Sequence, residues 1–411
     1  KFSDKLSYNF FPKPHFIISD TIINYKKEDL FQIGKLKVNI FSDNLFSLEN
    51  INIKDIEIEN ANFYLNQKNF DFFLHLLNNK FDTKTVKIIN SNVFFKNSYD
   101  EVLFINKILN MKYFYDPKEL KNIIISENEI FNIPYQIKLY DDKINKKLWS
   151  KINISLLKLK LENEIEYKNI LKVGEANLLV NNSKSIIKYK TDKKKFEFSF
   201  FDKIENPKFT YHGNLNYNPF YSNLVGLTND LNISHFLNQN GIIAQLVKTE
   251  IFNNKNIDFK LEIVANNFTK NSNYKNINFN SKIQEGLIDI DNTNFKWKTF
   301  ADLKISDSLI YVKNSELILD GKINIDIINI EEIFKYLLTP KKYRKKFKSI
   351  EFNFSYNIDQ KMTKLSDVKI DNIYNEKINE SMKSLSLKDN NLQNKIYLKK
   401  LLNEALKSYE G

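Results

Sequence analysis

The stretch from Ile33 to Leu65, IGKLKVNIFSDNLFSLENINIKDIEIENANFYL, alternates apolar and polar residues with a period of two. Leu36, Val38 and Ile40 alternate with Lys35, Lys37 and Asn39. Past the turn-like Ser42-Asp43-Asn44, Ile51 and Ile53 alternate with Asn52 and Lys54. The phase slips by one residue at Asp55, and Ile56, Ile58, Ala61, Phe63 and Leu65 then resume the pattern. Successive side chains of a strand point to opposite faces, so each piece is a ribbon with one apolar and one polar side. The functional question is what the apolar side is for.

The same ribbon recurs along the chain. It is seen at Val86-Ile88, Val93-Phe95, Ile133 to Leu139, Ile152 to Leu161, Ala176 to Val180, Phe196-Phe198-Phe200 and Phe209 to Leu215. It returns from Ile257 to Ile327 and again at Ile350 to Tyr356. Strand centres lie roughly 8 to 15 residues apart, as in an antiparallel meander. Three segments break the pattern. Phe70, Phe73, Leu74 and Leu77 fall at helical spacing, as do Leu224 to Ile251 and Ile330 to Leu338, the last ended by Pro340. Asp116 and Pro117 have the chemistry to cap a helical turn. These readings divide the chain into a sheet region over 1–218 with a short helix near 70–79, a helical insert over 219–256, a second sheet region over 257–372 with a helix near 330–346, and a polar, partly helical tail over 373–411. Within the tail, a helix is expected at Ile396 to Tyr409.

With 411 residues, 42% of them hydrophobic and 27% charged, the chain can bury a core. Only 8 Gly and 7 Pro are present, which argues against many tight primed hairpins and leaves Asn to take positive φ. The net charge of +12 favours anionic partners. No Cys is present, so disulfides, thiolate metal sites and cysteine nucleophiles are all excluded. No window reaches the eighteen or more apolar residues that span a bilayer as a helix. The chain starts at Lys1 and not at Met, which leaves room for a leader or an N-terminal anchor ahead of it.

Catalytic patterns are missing. His15, His75, His212 and His235 are far apart, and no phosphate-cradling glycine loop or nucleophile elbow occurs. Asp289 to Thr293 starts like a calcium loop but has Asn294 and Phe300 where the loop needs Gly and Glu. The sequence therefore reads as non-enzymatic, with no cofactor and no metal. The densest basic cluster is Lys341, Lys342, Arg344, Lys345 and Lys346. It suits either a solvated helix end or an anionic head group. Nucleic acid is set aside because stacking aromatics are not placed among these lysines as single-strand binders require.

Roughly twenty amphipathic strands admit three architectures. They can close into a sandwich array, form a transmembrane barrel, or curl as one long antiparallel sheet with an open apolar trough. The helical segments and polar C-terminus count against the barrel. Residues 10 to 66 resemble the start of the AsmA-like proteins of bacterial envelopes. The order of parts carries the likeness: Phe11-Pro12-Lys13-Pro14, an extended segment, the LKVNIFSDNLFSLENINIKDIEIENANFYL ribbons, then a short helix. LVKTEIFNNKNI (246–257), EGLIDIDNTNFKW (285–297) and LIYVKNSELILDGKINI (309–325) resemble the family's C-terminal sheet region. The resemblance implies a mainly β protein with a taco-like β-groove and short helices at its breaks and ends. It implies a periplasmic place, attachment to the inner membrane through an N-terminal helix that this chain lacks, and work in lipid transport and outer-membrane biogenesis. The expected occupants of the groove are phospholipid acyl chains, with envelope proteins as further partners. Leu36, Val38, Ile40, Ile51, Ile53, Phe198, Phe200, Phe259 and Leu261 are the residues expected to line it. A closed β-rich scaffold that binds proteins of the envelope is the alternative.

Overall fold

The structure is a computed structural model. It describes the chain apart from residues 1–5, 26–27, 43–50, 67, 70–71, 73–83, 97–99, 143, 167–171, 181–182, 193, 218–219, 234–237, 250, 254–256, 270, 375, 384–386, 389–398, 400–402, 404 and 410–411. The chain is mainly β, as its alternation requires, and divides into two units, Lys1–Phe200 and Phe201–Gly411.

The first unit contains β1 (Leu6–Asn9), β2 (His15–Tyr25), β3 (Glu28–Ile40), β4 (Ile53–Leu65), β5 (Thr85–Lys96), β6 (Val102–Asp116) and β7 (Lys121–Ile130). It continues with β8 (Ile133–Asp142), β9 (Lys147–Ile154), β10 (Leu159–Glu166), β11 (Lys172–Val180), β12 (Ser183–Thr191) and β13 (Lys195–Phe201). From β1 to β12 each strand pairs antiparallel with the next, with one exception: β4 and β5 run parallel. A parallel pair needs a long crossover, and 66–84 supplies it. The helix expected over 70–79 falls in that crossover and lies outside the described residues, Phe72 apart. Asp116 caps a turn and not a helix: its Oδ1 accepts the Lys118 and Glu119 N–H groups, and β7 begins at Lys121.

The second unit contains β14 (Phe209–Tyr217), β15 (Phe220–Leu231), helix α1 (Ile242–Lys248), β16 (Asp258–Phe268), β17 (Asn271–Gln284), β18 (Leu287–Asp289) and β19 (Asn294–Trp297). Then come β20 (Ala301–Lys313), β21 (Glu316–Ile327), α2 (Ile330–Leu337), β22 (Ser349–Asn357), β23 (Met362–Ile370), β24 (Ile373–Tyr374), α3 (Glu376–Lys383) and β25 (Leu387–Lys388). Here too one pair is parallel, β15 with β16, and α1 lies in its crossover. The helical insert expected over 219–256 is therefore corrected. Its first third is strand β15, paired residue for residue with β14, and among the described residues helix is limited to a 3₁₀ position at Ile233, α1 and a 3₁₀ turn at Ile251–Asn253. Leu224, Leu227 and Leu231 fit helical spacing, but hydrogen-bonding partners on both sides outweigh that local pattern.

Helix α2 starts where Asn329 accepts the Glu332 N–H at 3.2 Å, with Glu331 and Glu332 in its first turn. It stops at Leu338, which takes the left-handed conformation before Pro340. The helix expected near 330–346 thus ends at Leu337, and only a 3₁₀ turn at Lys341–Tyr343 follows. In the tail, α3 is helical, and of the helix expected at Ile396 to Tyr409 the described residues Lys399, Asn403 and 405–408 are helical while Tyr409 is not. The tail is more than a polar appendage, since Ile378 and Leu406 are buried with Ile333, Phe334 and Leu337 of α2. A second core joins Ala244 and Val247 of α1 to Ile263, Ile277, Leu317 and Ile358.

Tight primed hairpins are present despite the low Gly count. Phe131-Asn132, Asn314-Ser315, Asp371-Asn372 and Glu285-Gly286 each place two left-handed residues between directly paired strand ends. Asn, Asp and Ser do here what Gly usually does, because a short polar side chain tolerates positive φ.

Candidate functional site

The alternation of the first unit is brought into register across strands. Leu6 faces Ile18, Ile18 faces Leu36, Leu36 faces Ile58, Ile58 faces Ile88, and Ile88 faces Met111. The row passes Ser126 and continues through Ile137, Ile152, Leu161 and Leu178 to Ser185. A second row runs beside it: Phe16, Val38, Ile56, Val86, Tyr113, Ile124 and Leu139. At ~4.8 Å per strand, the first row is on the order of 50 Å long. Leu36, Ile58, Ile88, Met111, Ile137, Ile152 and Leu161 are all half-buried, not enclosed.

Left-handed residues aligned on neighbouring strands keep this face continuous. Asp20, Asn60 and Asn90 have φ of 51°, 55° and 47° on β2, β4 and β5. Asp20 and Asn60 lie on either side of Gly34 of β3 in the register. A Cβ on Gly34 would meet the Asn60 Cβ and carbonyl oxygen at 3.1 Å, so the two strands approach closely there and a larger residue would push them apart by a few tenths of an ångström. On the next strand, Leu109 of β6 is the extra residue between Ile108 and Asn110. Across the line of Asp20, Gly34, Asn60 and Asn90 the register is kept one for one. Ile23, Ile33, Ala61 and Phe63 beyond that line pack with Leu36, Ile58 and Ile88 before it, so both stretches share one face. The phase slip read in the sequence at Asp55 is a separate feature, the register shift at which Asn39 pairs with Asp55 but Ile40 with Ile53. Ser91 completes the arrangement by accepting the Ala61 N–H at 3.0 Å and donating to the Ile89 carbonyl at 2.9 Å.

The opposite face is charged. Lys37 faces Glu57, Glu57 faces Lys87, and Lys87 faces Lys112. Cross-strand ion pairs Lys35–Glu59 (3.2 Å), Lys107–Glu129 (2.6 Å) and Lys151–Glu162 (2.5 Å) lie on it. Such exposed pairs add at most about 1 kcal/mol each, so their main effect is to keep this face solvated.

The apolar side is dry enough to move tyrosine titration. Burial, with the nearby Asp141 charge, pushes the Tyr113 phenol up to about 12. Burial also raises Tyr135, whose hydroxyl donates to Asn106 Oδ1 at 2.9 Å. It raises Tyr189, although the hydrogen bond to Asn163 Oδ1 pulls the other way. Polar groups gather at the margins of the rows, where Asn122, Asn128 and Asp141 are buried.

Of the residues expected to line a groove, Leu36, Val38, Ile40 and Ile53 share this face on β3 and β4. Ile51 does not: it precedes β4 and is 43% exposed. Phe198 joins the face through Phe196, which lies against both Phe198 and Tyr189, and Phe200 follows two residues on along β13. Phe259 and Leu261 belong to the second unit, where they pack against the core closed by α1. Ribbons were visible in β5 and β8 to β10, Leu161 among them, but no local signal marked Met111 or Tyr113 of β6, or Ile124 of β7, as members of the same face. Strand pairing alone shows that.

Lys341, Lys342, Arg344, Lys345 and Lys346 sit between α2 and β22. Arg344 Nε donates to the Thr339 carbonyl at 2.9 Å, and Lys342 lies 4.8 Å from the centre of the Tyr343 ring. Among the described residues no group of three metal-ligating side chains occurs, and no helix is long and apolar enough to cross a membrane. His15 Nδ1 donates to the Lys13 carbonyl at 2.6 Å, a local structural contact. No family model matches the chain, and no curated protein matches it significantly.

Proposed function

We propose that the chain is a non-enzymatic protein of the bacterial envelope, AsmA-like in kind, whose first unit shields lipid acyl chains on its apolar sheet face. One observation carries the reading. Two parallel rows, mostly of half-buried aliphatic side chains, cross neighbouring strands on one face, while the other face carries ion pairs. A sheet that is wet on one side and apolar on the other needs a cover for the apolar side. Acyl chains fit it, because a row on the order of 50 Å is longer than a lipid tail and its one polar member midway, Ser126, spends its hydroxyl proton on Asn128. Each buried CH₂ contributes about 0.8 kcal/mol, so contact along part of one row holds a chain. Curling of the sheet into a trough, a periplasmic place, attachment to the inner membrane and a part in phospholipid transport and outer-membrane biogenesis belong to the same reading.

The test is lipid extraction and native mass spectrometry of the purified protein. Co-purifying phospholipid is expected, and Val38→Asp, on the second row between Phe16 and Ile56, should reduce it several-fold in a protein that still melts cooperatively. A lipid-free protein that takes up no fluorescent fatty acid sinks the proposal. A second reading, a protein-binding scaffold, is favoured for the second unit alone, where α1, α2 and α3 contribute to closed cores.

A further inference from the structure

Four connections meet at one end of the second unit's sheet. They are the 298–300 turn, the 328–329 link into α2, the 338–348 segment after α2 and the Asp371-Asn372 turn. Backbone bonds tie them together: Ile328 and Asn329 donate to the Phe300 carbonyl, Ile327 to that of Lys348, and Asp371 to that of Ser349. The Asp371 carboxylate accepts the Lys348 and Ser349 N–H groups at 2.7 and 2.9 Å. The C-terminal helix joins the same end. Thr339 Oγ1 donates to Asn403 Oδ1 at 2.6 Å, and Asn403 Nδ2 donates to the Leu337 carbonyl at 2.9 Å.

This convergence makes a cationic surface far larger than the 341–346 run. Lys298 and Lys399 lie 4.5 and 4.8 Å from the Tyr336 ring centre, Lys407 lies 5.7 Å from that of Tyr343, and Lys345 lies 5.8 Å from that of Tyr409. The ion pairs of this end among the described residues, Lys296–Asp302, Lys335–Glu332 and Lys369–Glu351, use none of these cations. A helix dipole accounts for cations just after α2 but not for Lys298, Lys399 and Lys407, which come from other elements. Large apolar side chains stand out beside the charge. Leu338 is 74% exposed, Ile373 69% and Ile328 59%.

We propose that this end of the second unit is a docking surface for an anionic phospholipid bilayer, its lysines meeting the head groups while Leu338, Ile328 and Ile373 enter the interface. Cations around exposed aliphatics are what peripheral attachment to an anionic bilayer uses. Nucleic acid fits less well. The tyrosine rings are capped by the protein's own lysines, and bases have no use for the exposed aliphatics. The proposal stands apart from the acyl-chain reading, since vesicle binding reports on this end and lipid extracted from vesicle-free protein reports on the first unit.

The test is co-sedimentation of the full chain with phosphatidylcholine vesicles, with and without ~30% phosphatidylglycerol, at about 0.1 M salt and above. Binding is expected only with the anionic lipid and should fall as salt rises. Each lysine near the surface contributes about fivefold, so Lys341→Gln with Lys346→Gln should weaken binding ~25-fold. Adding Lys342→Gln and Lys345→Gln should bring the loss to ~10²–10³-fold. Leu338→Ser should weaken it by about tenfold with the charge unchanged. The pair Lys341 and Lys346 touches no ring, so that variant keeps the test valid if the fourfold one unfolds. Equal binding to neutral vesicles, or wild-type binding by the paired variant, overturns the proposal. So does retention of a single-stranded oligonucleotide by a protein that ignores anionic vesicles, and so does full competition by a soluble glycerophosphate.

Discussion

Gly174 of β11 lies directly opposite Tyr189 of β12, and the tyrosine ring covers the glycine. A Cβ at Gly174 would overlap Oη and Cζ of that ring, so Gly174→Ala cannot be accommodated while Tyr189 stays in place. The ring is buried and its hydroxyl is held by Asn163, which leaves it no free direction. Overpacking of this kind costs about 1–3 kcal/mol, and loss of the hydroxyl contact adds roughly 1 kcal/mol. Against that, alanine in a strand that needs no positive φ gains about 0.4–1 kcal/mol through the unfolded state. The sum is a destabilisation of about 1–3 kcal/mol. A double-mutant cycle isolates the cause. In a Tyr189→Ala background the same Gly174→Ala change should be neutral or slightly stabilising, a coupling of roughly 1–3 kcal/mol readable by urea denaturation. An equal cost in both backgrounds would refute the reasoning, because the penalty would then come from the strand itself. Gly226 opposite Tyr211 and Gly321 opposite Phe354 repeat the arrangement in the second unit.

Other perturbations have equally definite outcomes. Asn379→Ala should cost about 2–4 kcal/mol in thermal or urea unfolding, because the buried amide of α3 accepts from the Val368 N–H at 2.8 Å and donates to its carbonyl at 2.9 Å, and both would be left unpaired. Burial raises the Asp359 carboxyl, but the Lys248 ion pair at 2.5 Å and the Leu317 N–H at 2.6 Å outweigh it and hold it below its usual value. Its stabilisation is therefore complete above the unfolded pKa of about 3.9 and is lost as pH falls through the lower folded value. Asp359→Asn should remove that portion of the acid dependence and cost about 1–3 kcal/mol at pH 7 in chemical denaturation. In an ultraviolet titration Tyr113→Phe should delete a phenol that ionises near pH 12; since the folded value lies above the ordinary 10.0, wild-type stability falls as pH climbs between the two.

The ribbons themselves were legible because period-two alternation is imposed by strand geometry at each residue, independent of neighbours. Leu36, Val38, Ile53 and Phe63 were assigned to strand faces on that ground alone. What could not be read was pairing. Phe259 and Leu261 alternate just as Leu36 and Val38 do, yet they pack under α1 in another unit. The leucines of β15 show the reverse limit: their spacing suits a helix, and only the flanking strands make them a strand. Ile51 shows a third, since its place in an alternating run did not put it in the ladder.

The aligned left-handed residues decide how far local pattern can build a common face. Without the phase change at Asp20, Asn60 and Asn90, the apolar residues on either side of that line would point to opposite faces, and neither face would carry a continuous row. Each non-glycine residue held at positive φ strains the backbone, a cost that a sheet needing only separate short hydrophobic patches would not require. Their alignment on neighbouring strands keeps the length of β2 to β5 apolar on one side. The second unit covers its own apolar rows with Ala244, Val247, Phe334 and Ile378 of three helices. Among the described residues of the first unit the corresponding packed patch is only Ile33, Ala61 and Phe63. The unit that aligns its left-handed residues to extend an apolar face is also the one in which, among the described residues, no helix joins the packed patch on that face, and this is why the acyl-chain proposal rests on the first unit and not on the second.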